Sequence, residues 1–443
     1  MKIAIVGTGI SGNLVARLLH DEHDVQLFEA DSRLGGHTHS QDIEVFGRKF
    51  TVDTGFMVCN DRTYPNFLRL LELLDVPTRH SDMSLSIRCD RTGLEYQGSS
   101  LNGLFAQRAN LLRPSFYKML LDILRFNRQA IEWIEHADDT ITLGDFLRHH
   151  NFGRRFTDQY LVPMGAAIWS ARADRLLEFP AAFIIRFFHN HGLLQVHDRP
   201  RWRTVVGGAK SYVEKLLAPL ANRIRLNCPV TSVQRHDDHV VLRTHQGDTE
   251  VFDQVVMATH ADRTLEILAD ADDDEREILQ AFPYQENEAV LHTDCALLPT
   301  RRRAWASWNY HVSDDPARPV AVTYDLSRLQ GLDSPSPICV TLNPAQPIDA
   351  AKVLRRMTYH HPVFGRAALA AQRRHAQISG RRRTHFCGAY WGHGFHEDGV
   401  NSALAVGKFF GKGLETCRAV FTKAESDTVG SSQPIIGSAT ASS

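Results

Sequence analysis

The chain opens on an unbroken apolar run, Ile3-Ala4-Ile5-Val6, of the kind that reads as a strand buried on both faces. Gly7-Thr8-Gly9-Ile10-Ser11-Gly12 follows. An amphipathic stretch from Leu14 to Leu19 then predicts a helix, and a second strand, Val25-Gln26-Leu27-Phe28, runs into Glu29. Helical periodicity returns from Tyr64 to Leu74 and from Ser115 to Ile134, with a further amphipathic helix expected from about Ser211 to Leu220. Alternation of apolar and polar residues from Arg225 to Ala258 predicts hairpin strands, and strand-like runs fall around 288–293, 320–325 and 338–342.

The order strand, glycine turn, helix, strand, acid points to an α/β fold with a Rossmann-like dinucleotide-binding unit. Each glycine has its own task. Gly7 allows the tight turn out of the strand, Gly9 lets backbone approach a pyrophosphate, and Gly12 lets the helix pack on the strand. Ile10 and Ser11 then sit at a helix N-terminus, whose unpaired N–H groups and positive dipole end suit phosphate. Glu29, 17 residues past Gly12, is placed to accept hydrogen bonds from a ribose 2'-hydroxyl and would repel a 2'-phosphate, so FAD or NAD is expected rather than NADP.

Directly after Glu29 come Ala30-Asp31-Ser32-Arg33-Leu34-Gly35-Gly36-His37-Thr38, and later Val52-Asp53-Thr54-Gly55. This resembles the signature of the flavin amine oxidase family, which includes monoamine oxidases, protoporphyrinogen oxidases and phytoene desaturases. The resemblance implies noncovalent FAD, with the Arg-x-Gly-Gly backbone along the pyrophosphate and Arg33 giving a charge-assisted phosphate contact. Val230 and Val233 lie in a segment similar to the one that touches adenine in relatives. The string from Thr384 to Ala403 is similar to the family's closing strand, turn and helix, so Gly388 and Val400 are expected beside the flavin; Ala389 replaces an acid that relatives often carry. His260 replaces the glycine that usually ends the return strand and is expected to cap it from solvent. From Phe386 to Asn401 the chain most resembles bacterial flavoproteins encoded beside cyclopropane-fatty-acid-synthase-like methyltransferases. That resemblance implies acyl lipid as substrate and a methyltransferase as a possible partner.

The implied organisation is an amine-oxidase-type FAD-binding domain assembled from 1–60, 200–265 and 381–423, with an interleaved α+β substrate-binding domain from 61–199 and 266–380. Residues 424–443, without aromatics and rich in Ser, Gly, Ala and Thr, are expected to form a disordered tail. The formal net charge of -1 argues against a nucleic-acid partner. Arg301-Arg302-Arg303 and Arg381-Arg382-Arg383 are expected to be solvated faces or anionic-headgroup contacts. Seven cysteines, at 59, 89, 228, 295, 339, 387 and 417, show no paired spacing and read as reduced thiols. Without a leader pattern or a long apolar span, a cytoplasmic protein is expected, with peripheral contact on the inner face of the membrane as an option.

Two segments could contact lipid: Leu111–Leu121, where bulky apolar groups mix with cations, and the aromatic stretch Phe179–Phe188. Among 23 histidines, the pairs His393/His396 with Glu397 and His189/His191 lack metal-ligand spacing, so no metal is expected. The expected reaction is hydride removal from an apolar substrate, by a desaturase or double-bond isomerase acting on fatty-acyl chains. His393 or Glu397 would be the base, and Tyr390, Trp391, Trp308 and Tyr310 would wall the channel. Alternatives are a soluble amine oxidase with an aromatic cage from Tyr390 and Trp391, and an FAD-binding accessory subunit of a lipid methyltransferase.

Overall fold

The computed structural model describes residues 1–135, 140–169, 173–195, 197–314 and 321–415; the expected tail 424–443 and Cys417 lie outside the described residues. The opening apolar run becomes the strand Lys2–Val6, central in a five-stranded parallel sheet. The order across the sheet is Ile224–Arg225, Asp24–Phe28, Lys2–Val6, Gln254–Met257, Thr384–Phe386. Ile5 pairs with Leu27 on one side and Val256 on the other, and Met257 with Phe386. Four chain-distant segments thus close one sheet around the first strand, which explains why Ile3 to Val6 carry no polar alternation.

The helix Ile10–Leu19 is buried along all ten residues, not amphipathic as its sequence suggests. It lies between the sheet and two further helices, Lys210–Leu217 and His396–Phe409, so it has no solvent face. The helix Pro65–Leu73, expected in the substrate domain, joins this same core: Phe67, Leu70 and Leu71 pack with Leu14, Leu18, Tyr212 and Val400. An antiparallel sheet of Val230–Arg235, Val240–Thr244 and Thr249–Phe252 follows the predicted alternation.

A second, seven-stranded sheet carries the other lobe, in the order Val353–Pro362, Tyr284–His292, Cys339–Leu342, Ala321–Asp325, Trp308–Val312, Leu85–Cys89, Leu94–Gln97. All its pairs are antiparallel except Trp308–Val312 with Leu85–Cys89. Helix Val162–Ile168 packs on the strand Trp308–Val312, while Pro114–Ile134 and Leu143–His149 pack on the helix Ala181–Asn190. Seven of the ten residues of Ala181–Asn190 are buried. That corrects the expected lipid contact at Phe179–Phe188: this aromatic helix is core, and each such side chain contributes about 1.5–3 kcal/mol by burial.

Arg381 and Arg382 are exposed and Arg383 half-buried, as expected of a solvated face, but each is tied down at the surface. Arg382 Nη2 reaches Asp270 Oδ2 at 2.6 Å, Arg383 Nε donates to the Asp237 carbonyl at 2.9 Å, and Arg381 Nη1 donates to the Gln377 carbonyl at 2.9 Å. Arg382, itself exposed, covers the outer side of a network in which buried Arg235 meets Asp270 at 2.9 Å and buried Glu275 at 2.5 Å. Replacing Arg235 by Met takes the buried cation from the interior carboxylate of Glu275, and urea unfolding is expected to show a loss of about 3 kcal/mol. The exposed pair Arg263–Glu266, at 2.6 Å, provides the contrast: Arg263→Ala is expected to change stability by less than about 0.5 kcal/mol.

Candidate active site

The glycine turn closes without room for side chains. Gly7 has φ of +102°, and a β-carbon on Gly12 would stand 2.0 Å from the Gly7 carbonyl oxygen. Gly9 differs: a β-carbon there would meet nothing within 4 Å. The turn is braced from inside, because the Thr8 carbonyl accepts from Asn13 Nδ2 at 2.8 Å and from the Gly35 N–H at 2.9 Å. That second bond draws the Arg-x-Gly-Gly loop onto the turn, with Gly36 facing the Gly9 Cα. No side chain caps the start of Ile10–Leu19, so its first N–H groups are left to a ligand.

Glu29 accepts from the Thr8 N–H at 3.0 Å, from the Thr8 hydroxyl, and from the Asp31 N–H at 3.0 Å. Ala30 beside it is exposed. Cys228 N–H donates to the Glu29 carbonyl at 2.8 Å and Asn227 N–H to that of Asp31 at 3.0 Å, which brings the segment leading to Val230 and the buried Val233 alongside the acid. Arg33 differs from its expected role, since its guanidinium is turned onto its own loop, with Nη1 on the Gly36 carbonyl at 2.8 Å and Nε 3.3 Å from Asp31. From the far end of the chain, the Gly399 carbonyl accepts from Ser11 Oγ at 2.9 Å, Gly388 N–H donates to Ser402 Oγ at 3.0 Å, and Val400 is fully buried.

Beyond the loop, His37 enters a histidine and tyrosine cluster that joins the two lobes. The His37 carbonyl accepts from Phe56 N–H at 2.8 Å, and a β-carbon on Gly55 would lie 2.1 Å from that oxygen. The His37 ring lies 5.4 Å from Tyr359, 5.5 Å from His361 and 5.9 Å from His260. His260 does not cap the strand from solvent; it stacks on Tyr284 at 4.4 Å. Tyr359 OH is shared by His39 Nδ1 and Thr54 Oγ1, each at 2.8 Å. Burial holds these imidazoles neutral, His37 and His361 at about 3 and His39 and His260 at about 4. The buried His37 Nε2 has no hydrogen-bond partner in the protein. Asp53 organises the same junction: it accepts from the Ala209 N–H at 2.9 Å and from Gln330 Nε2 at 3.0 Å, and burial raises it to about 6. Asp53 stood in the Val52-Asp53-Thr54-Gly55 element, but nothing in the spacing of Tyr359 or His361 marked them, because their partners lie far along the chain.

The triplet His396-Glu397-Asp398 is taken up by packing. His396 Nε2 meets Tyr212 OH at 2.6 Å and Thr38 Oγ1 at 3.2 Å, and its ring stacks on Phe56 at 3.8 Å. The Glu397 oxygens accept from the Asn66 and Phe67 N–H groups at 3.0 and 2.8 Å, capping the helix Pro65–Leu73, and Asp398 accepts from the Phe395 N–H at 2.8 Å. Glu397, expected as a base, is thus a cap whose burial raises it to about 7. His393 points elsewhere, stacking on Phe183 at 4.9 Å with Phe187 5.8 Å away, while its carbonyl accepts from Trp169 Nε1 at 3.3 Å. Burial alone lowers it to about 4.

Tyr390 and Trp391 pack on one another at 5.0 Å and on Phe282. Tyr390 is buried against these neighbours, without the open ring face that the expected cage needs. Trp308 and Tyr310 lie four strands from Tyr359, about 19 Å across the sheet, where Trp308 packs edge-on against Tyr324. Cys387 is buried in the cofactor-side core, and burial raises its thiol. No group of three metal-ligating side chains occurs among the described residues.

The open face at Gly9, the uncapped helix and the unpartnered His37 Nε2 fit a dinucleotide held by Gly7–Gly12, Glu29, Gly35–Thr38 and Gly388–Val400. The flavin-containing amine oxidoreductase family matches the sequence over residues 10–268, more than half of the chain. A Mycobacterium tuberculosis protein provisionally named flavin-containing monoamine oxidase AofH is 26% identical over 274 residues, which are 59% of this chain and only 58% of that protein's length. Among solved structures, a CLA-producing fatty acid isomerase from P. acnes superposes with a TM-score of 0.65 at 17% identity, covering 92% of this chain and 98% of its own. Putrescine oxidase bound to putrescine superposes with a TM-score of 0.69 at 13% identity, covering 93% and 99%. At such identities the likeness is one of fold.

Two measurements check this site. Gly9→Val is expected to leave the thermal stability of the FAD-free protein unchanged but weaken FAD binding at least about tenfold, whereas Gly12→Ala is expected to destabilise the fold itself by about 2 kcal/mol or more. The second is pH dependence. His37, His361 and His396 are lowered to about 3, and His39, His191, His260, His292, His385 and His393 to about 4, from an ordinary 6.5. A base lowered on folding takes up its proton only in the unfolded chain, so this stability is present above pH 6.5 and is lost as pH falls below it. Asp53 and Asp398, raised to about 6, and Glu397, raised to about 7, act oppositely, since they favour the fold less as pH rises. Nine histidines outweigh three acids. Urea unfolding is expected to show stability falling by about 3 kcal/mol or more between pH 7.5 and 5.5, with net proton uptake.

Proposed function

Because the chain belongs to the flavin-containing amine oxidoreductase family, we propose that it is an FAD-dependent oxidoreductase that removes a hydride from a fatty-acyl chain, to desaturate it or to shift an existing double bond. The observation that carries this reading is the surrounding of His393. Its ring stacks on Phe183, which lies against Phe364 and Trp169; Phe187 is near, and Phe395 stacks on Phe187. Burial is the sole cause of its lowered pKa, so no charged group sets its state. Such a nest favours methylenes and penalises an ammonium, which would arrive without a counter-charge. The likeness to a fatty acid isomerase supports the same class, as does the resemblance to flavoproteins encoded beside lipid methyltransferases.

Bound FAD supplies the hydride acceptor. The aromatic walls hold the chain and exclude water, so the reacting carbon is oriented rather than polarised. His393, neutral at physiological pH, can take the proton that leaves the neighbouring carbon in a desaturation. An isomerisation would leave the acyl chain at the same oxidation level and so would consume no external acceptor.

Anaerobic mixing of the oxidised, FAD-loaded protein with unsaturated fatty acids, phospholipids and amines tests the substrate class, followed by the flavin band near about 450 nm and by mass spectrometry of double-bond position. Acyl substrates are expected to bleach the flavin or emerge with a new or shifted double bond. A response to amines alone overturns the reading. His393→Gln is expected to retain FAD and thermal stability while turnover falls about 10²–10⁴-fold; unchanged turnover removes His393 from the proton step.

A further inference from the structure

The described residues hold twelve exposed large apolar side chains, and six of them fall within the single stretch 101–124: Leu101, Leu111, Leu112, Tyr117, Leu121 and Leu124. Leu112 is 88% exposed, Leu101 77% and Leu121 66%. The other six are scattered from Met1 to Phe409. Tyr117, Leu121 and Leu124 stand at i, i+4 and i+7 on the outer face of the helix Pro114–Ile134, opposite the face where Phe116, Met119 and Phe126 enter the core. The preceding turn, Arg108–Leu112, is tied to this face by the Tyr117 OH, which donates to the Leu111 carbonyl at 3.0 Å, and the Phe105 ring lies 6.1 Å from that of Tyr117. A patch so concentrated is not the ordinary scatter of a soluble surface.

The charge around it has one sign. Between Glu95 and Asp122 the sequence has no acidic residue, while Arg108, Arg113 and Lys118 are all exposed. Asp122 itself is buried and paired with Arg125 at 3.0 Å. The helix Leu101–Leu104 lies against the turn Arg302–Ala304, which adds exposed Arg302 and Arg303 to the rim.

We propose that this face, bulky leucines ringed by cations, docks on an anionic lipid surface, with the leucines entering the acyl boundary and the cations meeting headgroups. A second copy of the chain is the poorer occupant: two-fold pairing through this patch would bring the cationic rims together. The inference stands apart from the acyl-chain reading, since docking requires no turnover and turnover on dispersed fatty acids requires no docking.

Cosedimentation of the FAD-loaded full chain with phosphatidylcholine vesicles, with and without about 30% phosphatidylglycerol, tests it. Binding is expected on the anionic vesicles and is expected to weaken with salt. Leu112→Gln/Leu121→Gln/Leu124→Gln is expected to lose at least about tenfold in partitioning with flavin absorbance and thermal stability unchanged. Arg113→Gln and Lys118→Gln are expected to cost about fivefold each, on anionic vesicles only. No binding to anionic vesicles at low salt, or equal binding by the leucine variant, overturns the proposal. So does a dimer in light scattering that the leucine variant dissociates, which would assign the face to a second copy.

Discussion

Two neighbouring segments near the start of the chain and a third from its far end meet in close approach, and the missing β-carbons are what let them meet. One on Gly12 would stand 2.0 Å from the Gly7 carbonyl, and one on Gly399 would stand 2.7 Å from Ile10 Cγ2. Close approach lets Ser11 Oγ bond the Gly399 carbonyl and the Gly35 N–H bond that of Thr8. The buried first helix, the five-stranded sheet closed by Thr384–Phe386 and the cradle for the dinucleotide all depend on that approach. Of the three glycines in the turn, Gly9 alone is left with open space, and it is the position at which a ligand must come near.

Within this frame the interior is kept uncharged. Imidazoles at the junction of the lobes are neutral because burial removes the water that would stabilise their protonated form. The junction imidazoles are therefore polar enough to orient ring and hydroxyl groups yet add no positive charge to be paired. Ionisable carboxyls are kept where they are satisfied, in the Arg235 network or accepting from backbone N–H groups, as Asp53 and Glu397 do. Fixed interior charge would oppose an apolar substrate, so the arrangement around His393 and the junction chemistry are consistent with each other.

The helix Pro114–Ile134 divides its labour by face. Its inner residues build the core beside the aromatic nest, and its outer residues break the usual rule for a soluble surface. Ala181–Asn190, by contrast, shows how misleading aromatic content alone can be: with neighbours on nearly every side, its phenylalanines are walls rather than contacts with lipid.

The sequence by itself determined the nucleotide turn, the acid at Glu29, the Gly35-Gly36 loop and the predicted helices and hairpins, because each depends on spacing within a few residues. Tertiary structure alone decided that Pro65–Leu73 belongs with the cofactor-side core, that Arg235 is buried between Asp270 and Glu275, and that Glu397 caps a helix while His393 faces an aromatic nest. Neighbours in the chain, Glu397 and His393 are given opposite surroundings by partners that begin at Asn66 and Phe183. A side chain's chemistry is set by what surrounds it, and no periodicity records which distant segment that will be.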